Sequence, residues 1–159
     1  MRFVPAGCVL LRGAAGMIQR IIRGRYPPNF SVIKARFPNA TDKGTIFSYG
    51  DLIYLPAGGN LSRELIAHEA VHGERQMAIG VELWWDKYAT ERNFVLEEEL
   101  LAHRAEYLAY RAGRNGRSRA GHLHVVAERL SGPLYRLPIT YQEAVRLITE
   151  WRTDVKEAA

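Results

Sequence analysis

Two histidines four residues apart, with a glutamate directly after the first, stand in the segment HEAVH at residues 68–72. On a helix, His68 and His72 lie on the same face one turn apart, so both imidazoles can reach one tetrahedral zinc ion. Glu69 then projects beside the ion, where it can accept a proton from a water that zinc has made acidic. The motif therefore predicts zinc as the cofactor, His68 and His72 as metal ligands and Glu69 as the general base. The alternative is two surface histidines on an amphipathic helix.

A second set of ligand-type side chains follows on a predicted helix that contains the acidic run of residues 97–99. A catalytic zinc needs a third protein ligand and one open position for water. Glu99, His103 and Glu106 fall on one helical face, whereas Glu98 shares a stripe with alanines that would allow close helix packing. The spacing leaves the third ligand open among Glu98, Glu99 and Glu106. An acidic first turn that complements the helix dipole is the alternative.

A zinc hydrolase also needs a hydrogen-bond donor for the negative charge that develops on the scissile carbonyl oxygen. His103 lies one turn after Glu99, and we expect it to be this second catalytic residue. A half-buried structural histidine is the alternative. The other candidate donors are Tyr88, Arg104, Tyr107 and Tyr110, and for Tyr88 a core or interface position is the stronger expectation.

The HEAVH motif is followed about 25–30 residues later by the helical pattern Glu99-x-x-Ala102-x-x-x-Glu106. This combination resembles the gluzincins, and it is most similar to compact phage and bacterial metallopeptidases of the HExxH type. The resemblance covers roughly residues 45–110. It implies a minimal zincin-like fold, zinc-dependent peptidase activity and Glu99 as the third metal ligand. The chain departs from better-characterised gluzincins in being shorter and in lacking the Asn-Glu-x-x-x-Asp form of the second helix.

The elements that precede the motif are predicted to be a short helix and then strands. The apolar spacing within residues 17–24 predicts the helix. Residues 30–36 combine β-branched and aromatic side chains with partial alternation, which predicts a strand. Residues 45–48 and 52–55 flank a tight-turn signal at residues 49–51 and predict a β-hairpin. In a zincin the edge strand at this place pairs with extended substrate.

Helices dominate the rest of the chain. The helix that carries the motif starts at Asn60, a good N-cap, and stops at Gly80. Residues 114–121 are rich in Arg, Gly and Ser and predict a loop. The final helix opens with a capping box formed by Thr140 and Glu143. The predicted helices span residues 60–80, 93–111, 123–130 and 140–156.

This order of elements predicts an α+β fold, with a small antiparallel or mixed sheet beside the active-site helix and several helices after it. The length of 159 residues fits a single domain. We divide it into an N-terminal segment at residues 1–29, a catalytic core at residues 30–113 and C-terminal helices at residues 114–159.

The composition narrows the setting of the protein. A hydrophobic share of 47% and a charged share of 25% are ordinary for a globular domain, and the single cysteine, Cys8, excludes an internal disulfide. The apolar run at residues 3–11 is too short to span a bilayer or to act as a signal peptide. We therefore expect no membrane insertion and a cytoplasmic location, or a place in the virion if a phage encodes the protein.

The net charge of +5 is compatible with several partners. The arginines at positions 111, 114, 117 and 119 have no aromatic side chains between them, which argues against nucleic-acid binding. We expect a peptide or protein substrate, and the sequence leaves the oligomeric state open. The alternatives are a phage peptidase acting on peptidoglycan cross-links, a DNA-associated or regulator-cleaving protease, and a virion or assembly protein that binds zinc without turnover. His122 and His124 are weaker candidates for a second metal site.

Overall fold

A computed structural model describes residues 10–12, 18–41 and 44–150 of the chain. Within these residues, four strands form one mixed sheet in the order β1-β2-β4-β3. Strands β2 and β4 are parallel, and the other two pairs are antiparallel. The strands are β1 (Leu10–Arg12), β2 (Ile18–Arg23), β3 (Phe47–Tyr49) and β4 (Leu52–Leu55).

Helices account for most of the described residues. Helix α2 carries the HEAVH motif and packs mainly against α4, while α5 and α6 pack against α4 and against each other. The order of elements confirms the predicted α+β fold. The helices are α1 (Phe30–Arg36), a 3₁₀ turn (Pro38–Thr41), α2 (Arg63–Ile79), α3 (Val81–Thr90), α4 (Arg92–Arg111), α5 (Gly116–Ser131) and α6 (Tyr141–Glu150).

The main hydrophobic core of the described residues joins the sheet to the helices. Phe47 from β3, Trp84 from α3, Val95 from α4, Leu130 from α5 and Ile148 from α6 are all buried in it. A smaller apolar cluster contains Ile21, Ile53 and Leu55. Burial of each large apolar side chain contributes about 1.5–3 kcal/mol. None of the helices that the structure describes is long and apolar enough to cross a membrane.

The predicted helix at residues 17–24 is wrong, because residues 18–23 form strand β2. Ile21 pairs with Ile53 and Ile22 with Tyr54 in the parallel register of β2 and β4. The strand sequence IQRIIR does not alternate strictly, so the spacing of its apolar residues fits a short helix as well as a strand. Residue 17 lies outside the described residues.

The predicted strand at residues 30–36 is also wrong, because the segment forms helix α1. Ile33 and Phe37 are buried four residues apart, and Phe30 stacks on Tyr26 on the same side. This is the spacing of a helical face, and the β-branched Val32 points to solvent with 53% exposure. Burial of this face overrides the strand preference of the individual side chains.

The hairpin of β3 and β4 is confirmed, with Gly50 at a φ of 60° in its turn. Helix α2 stops at Gly80 as predicted, but its N-cap is Ser62, whose hydroxyl accepts from Leu65 N, and not Asn60. The capping box of α6 is confirmed by the reciprocal bonds of Thr140 and Glu143, and α6 is described as far as Glu150.

Two helical segments differ from the expectation. The predicted loop at residues 114–121 is wrong from Gly116 onward, because Asn115 accepts a hydrogen bond from Ser118 N and caps α5, which begins at Gly116. The predicted helices also leave out residues 81–90, where α3 follows α2 directly at Gly80. Helix α3 carries the buried aromatic side chains Trp84 and Tyr88 toward α2 and α4.

Candidate metal centre

Helices α2 and α4 bring His68, His72 and Glu99 together in the interior. All three side chains are buried, and each is at most 7% exposed. The two histidine Nε2 atoms are 3.3 Å apart. Glu99 Oε1 lies 3.3 Å from His72 Nε2, and Glu99 Oε2 lies 3.7 Å from His68 Nε2. Two ring nitrogens and a carboxylate therefore converge on one small volume.

The buried group of His68, Glu99 and His103 could hold a metal ion, since one ligand atom from each lies within 4.8 Å of the others. One observation supports a cation in this cluster. Within the described residues, the buried Glu99 Oε2 has no hydrogen-bond partner. A buried carboxylate oxygen without a partner is costly unless a cation satisfies it.

The three candidate third ligands have different surroundings. Glu98 is turned toward Arg75, whose Nε donates to both of its oxygens at 2.7 and 2.9 Å. Glu106 accepts from His68 Nδ1 at 3.1 Å and from Arg129. Of the three, Glu99 is the one whose carboxylate lies near the Nε2 atoms of both motif histidines.

Opposing effects act on the ionisation of Glu99 and His72. Burial raises the pKa of Glu99, but the charge of His72, a hydrogen bond to it and the charges of His68 and His103 hold it well below its ordinary value. Burial lowers the pKa of His72, but the charge of Glu99 outweighs this effect and raises it overall. Glu99 is therefore an ionised carboxylate, which is the form that binds a metal.

Glu69 lies beside these side chains and is held by the sheet. Its Oε2 accepts a hydrogen bond of 2.7 Å from the hydroxyl of Ser48, which lies on β3. Its backbone carbonyl accepts from Gln19 Nε2 on β2 at 3.2 Å. Two turns farther along α2, Gln76 accepts from Gly50 N and donates to the carbonyl of Ser48, which fixes β3 against the helix.

A cavity of about 80 Å³ opens onto this group. Its polar wall includes His68, Glu69, His72 and Glu99, and strand β3 contributes Phe47 and Ser48. Strand β3 is also the edge of the described sheet, as predicted. The rest of the wall is mostly apolar and includes Ile33, Phe37, Trp84, Trp85, Tyr88 and Leu134.

Two tyrosine hydroxyls accompany the carboxylate of Glu99 in this cavity. Tyr88, on α3, is buried and donates to Glu99 Oε1. Tyr135 follows α5 and lines the same cavity. Burial and the charge of Glu99 raise the pKa of both tyrosines well above the ordinary value, so both stay protonated and able to donate.

Tyr135 is the site residue that sequence reasoning missed. It stands 36 residues beyond Glu99, in a segment without a motif. The backbone turns immediately after it at Arg136, whose φ of 54° is uncommon for a residue other than glycine. No local pattern announces this turn, and only the docking of α5 on α4 brings Tyr135 to the cavity.

His103 is fully buried and does not line the cavity. Its Nδ1 donates to the carbonyl of Glu99 at 2.7 Å, and burial together with the charge of His68 lowers its pKa to about 3. Its Nε2 has no hydrogen-bond partner within the described residues. The role of His103 as an oxyanion donor stays a prediction, and the geometry favours Tyr135 and Tyr88 over it.

The remaining candidates lie elsewhere in the described fold. Arg104 donates to the carbonyl of Leu147 on α6. The hydroxyl of Tyr110 bonds to Ser118, and its ring stacks on His122. His124 contacts Tyr141 and Glu128, whereas His122 Nε2 lies 3.4 Å from Glu106. The two histidines of α5 therefore share no ligand position.

Comparisons with known proteins add no identification. A scan against protein-family models, a search of curated proteins and a search of solved structures each gave no match.

Proposed function

We propose that this protein is a zinc metallopeptidase, in which His68, His72 and Glu99 bind the ion and Glu69 is the general base. The close spacing of the two ring nitrogens and the Glu99 carboxylate carries the proposal. Zinc bonds of about 2.0–2.1 Å to histidine and about 2.0–2.2 Å to carboxylate give tetrahedral edges of about 3.3–3.5 Å. The two Nε2 atoms are 3.3 Å apart, His72 Nε2 is 3.3 Å from Glu99 Oε1 and His68 Nε2 is 3.7 Å from Glu99 Oε2, so both carboxylate oxygens lie near these edge lengths.

The donor set supports zinc over other common metals. Two imidazoles and one carboxylate suit zinc, whereas magnesium and calcium prefer oxygen ligands alone. Three ligands also leave a coordination position for water, as a catalytic site requires. When bound, zinc would lower the pKa of a water and polarise a peptide carbonyl.

Glu69 is placed to move protons in this cavity. Its carboxylate lines the wall beside His68 and His72, and the hydrogen bond from Ser48 fixes one of its oxygens. Among the described residues no hydrogen bond engages the other oxygen, which can accept a proton from the attacking water and later deliver one to the leaving amine. Ser48 is a positioning residue in this scheme, because it touches Glu69 and acts through it.

Tyr135 and Tyr88 supply donors for the negative charge that forms on the scissile oxygen. Both hydroxyls remain protonated beside Glu99, and both side chains line the cavity. Tyr88 donates to Glu99 Oε1, and a hydrogen bond with Glu99 also contributes to the raised pKa of Tyr135. Both hydroxyls are therefore candidates for the oxyanion donor.

The surroundings of the site favour a peptide substrate. Strand β3 lies at the edge of the described sheet and forms one wall of the cavity. An edge strand offers backbone donors and acceptors that can pair with an extended chain. The mostly apolar wall formed by α1, α3 and Leu134 would take a hydrophobic side chain of that chain.

The test measures zinc per chain by elemental analysis, and cleavage of a proteome-derived peptide library by mass spectrometry. We expect one zinc and cleavage in the wild type, and neither in His72→Ala. Glu69→Gln should keep its zinc and lose turnover by about 10²–10⁴-fold, because it removes the base and not a ligand. Glu97→Gln, an exposed neighbour of Glu99, is the control and should behave as the wild type.

Normal turnover by Glu69→Gln would contradict the role of Glu69 as general base. A folded wild type that takes up no zinc, even when zinc is added back, would make the HEAVH motif coincidental. A zinc-loaded wild type that cleaves no peptide of the library would favour a zinc-binding protein without turnover.

A further inference from the structure

Glu106 connects the metal-binding helix α2 to α5, although it belongs to α4. Its carboxylate is fully buried. Oε2 accepts from His68 Nδ1 at 3.1 Å, while Oε1 accepts from Arg129 and lies 3.4 Å from His122 Nε2. Both oxygens are thus engaged, one by a motif histidine and the other by α5.

The contact with His68 determines which nitrogen of that ring faces the site. A neutral imidazole carries one proton, and a carboxylate against Nδ1 keeps that proton on Nδ1. The lone pair then lies on Nε2, the atom that is 3.3 Å from His72 Nε2 and 3.7 Å from Glu99 Oε2. Outer carboxylates of this kind fix the tautomer and orientation of a metal-binding histidine.

Arg129 keeps the carboxylate of Glu106 in this position. Its guanidinium donates to Glu106 Oε1, the oxygen that His68 does not contact, and its side chain is 38% exposed. His122 adds a second group of α5 near the same oxygen, with its ring stacked on Tyr110. Helix α5 therefore supports the site although it supplies no metal ligand.

We infer that Glu106, anchored by Arg129, is the positioning residue that orients His68 for metal binding. The inference rests on the proposed zinc site. It assigns Glu106 a role outside the ligand set, and it makes α5 a part of the metal centre. The downstream glutamate of the helical pattern thus serves the metal through His68.

The chain offers a matched control in Glu98. This carboxylate is also on α4, is also fully buried and also pairs with an arginine, Arg75 of α2. It differs in that, among the described residues, its carboxylate pairs with Arg75 and forms no hydrogen bond with a motif histidine, although its charge acts on His72 from farther away. Loss of either carboxylate removes a buried ion pair, but only loss of Glu106 removes the support of His68.

The experiment measures the zinc dissociation constant by competition with a fluorescent chelator, for wild type, Glu106→Gln, Glu98→Gln and Arg129→Met. We expect Glu106→Gln to weaken zinc binding by about 10–100-fold. Glu98→Gln should bind zinc as the wild type does, although both variants lose thermal stability. Arg129→Met should give an intermediate loss, and it carries the test if Glu106→Gln fails to fold.

A second readout is the visible spectrum of the cobalt(II)-loaded proteins, which reports ligand geometry. The spectrum should change in Glu106→Gln and not in Glu98→Gln. Equal zinc affinity in wild type and in folded Glu106→Gln, or an equal loss in Glu98→Gln, would overturn the inference. Neither outcome would affect the proposed peptidase activity. Zinc binding without peptide cleavage would contradict the activity and not this inference, whereas a wild type that binds no zinc would overturn both.

Discussion

At the scale of single residues, a substitution of Tyr135 tests the proposed catalysis separately from metal binding. Its hydroxyl lines the cavity beside Glu99, and its protonated form can donate to a developing oxyanion. We expect Tyr135→Phe to lower kcat by about 10²-fold, as for removal of one oxyanion donor elsewhere. KM and zinc content should change little, because the phenyl ring still fills the space.

The control for this prediction is Tyr110→Phe, which removes a hydroxyl bonded to Ser118 outside the cavity. Steady-state kinetics on a peptide found in the library screen would compare the two variants. Unchanged kcat in Tyr135→Phe would rule out the hydroxyl as the oxyanion donor.

The sequence could predict only the local part of the candidate site. His68, Glu69 and His72 follow from helical geometry alone, because a spacing of four residues fixes a shared face. The positions of Glu98 and Glu106 depend on Arg75 and Arg129, which lie far away along the chain. The local pattern contains no information about those partners, so the third ligand stayed open.

At the scale of elements, Gly80 controls how α3 leaves α2. It adopts a φ of 103° and a ψ of 124°, a conformation almost closed to residues with a side chain. We expect Gly80→Ala to reduce the free energy of unfolding by about 1–3 kcal/mol, through backbone strain and not through a clash. The space around a new Cβ there is open.

Gly121, inside α5, is the matched control, and its substitution by alanine should change the free energy of unfolding in the opposite direction. A Cβ at Gly121 also meets no neighbouring atom, but the backbone there is helical. Gly121→Ala should therefore increase the free energy of unfolding by about 0.5–1 kcal/mol. Urea denaturation would measure both variants, and a stabilised Gly80→Ala would disprove the strain at the junction of α2 and α3.

The fold was predictable where residues at the end of an element mark its start or its stop. The capping box of Thr140 and Glu143 and the stop at Gly80 are local signals, and both appear in the structure. The predictions for residues 17–24 and 30–36 were wrong because contacts with distant residues decide which structure these segments adopt. Ile21, for example, pairs with Ile53 in the sheet. The Arg-, Gly- and Ser-rich sequence at the start of α5 is typical of a loop, and the hydrogen bond from Ser118 N to the Asn115 side chain shows that a helix begins there.

At the scale of the whole molecule, the sheet and the helices of the described chain share one main hydrophobic core. The same cluster contains Phe47 beside the motif helix, Val95 on α4 and Ile148 on α6. The C-terminal helices are therefore not an independent unit, since α5 and α6 pack against α4. Unfolding should be one cooperative transition for a domain of this size.

This shared core leads to a prediction about Ile148, which is fully buried on α6 and lies outside the cavity. Ile148→Ala should lower the free energy of unfolding by about 2–5 kcal/mol. Zinc at 100 times its dissociation constant should add about 2.7 kcal/mol to the wild type. If α6 and the metal centre unfold together, zinc should add the same increment to Ile148→Ala, in a single transition.

The control is Val125→Ala, at a site that is 46% exposed, which should lower the free energy of unfolding only slightly. Two transitions in Ile148→Ala, with zinc shifting only one of them, would instead make the C-terminal helices a separate folding unit.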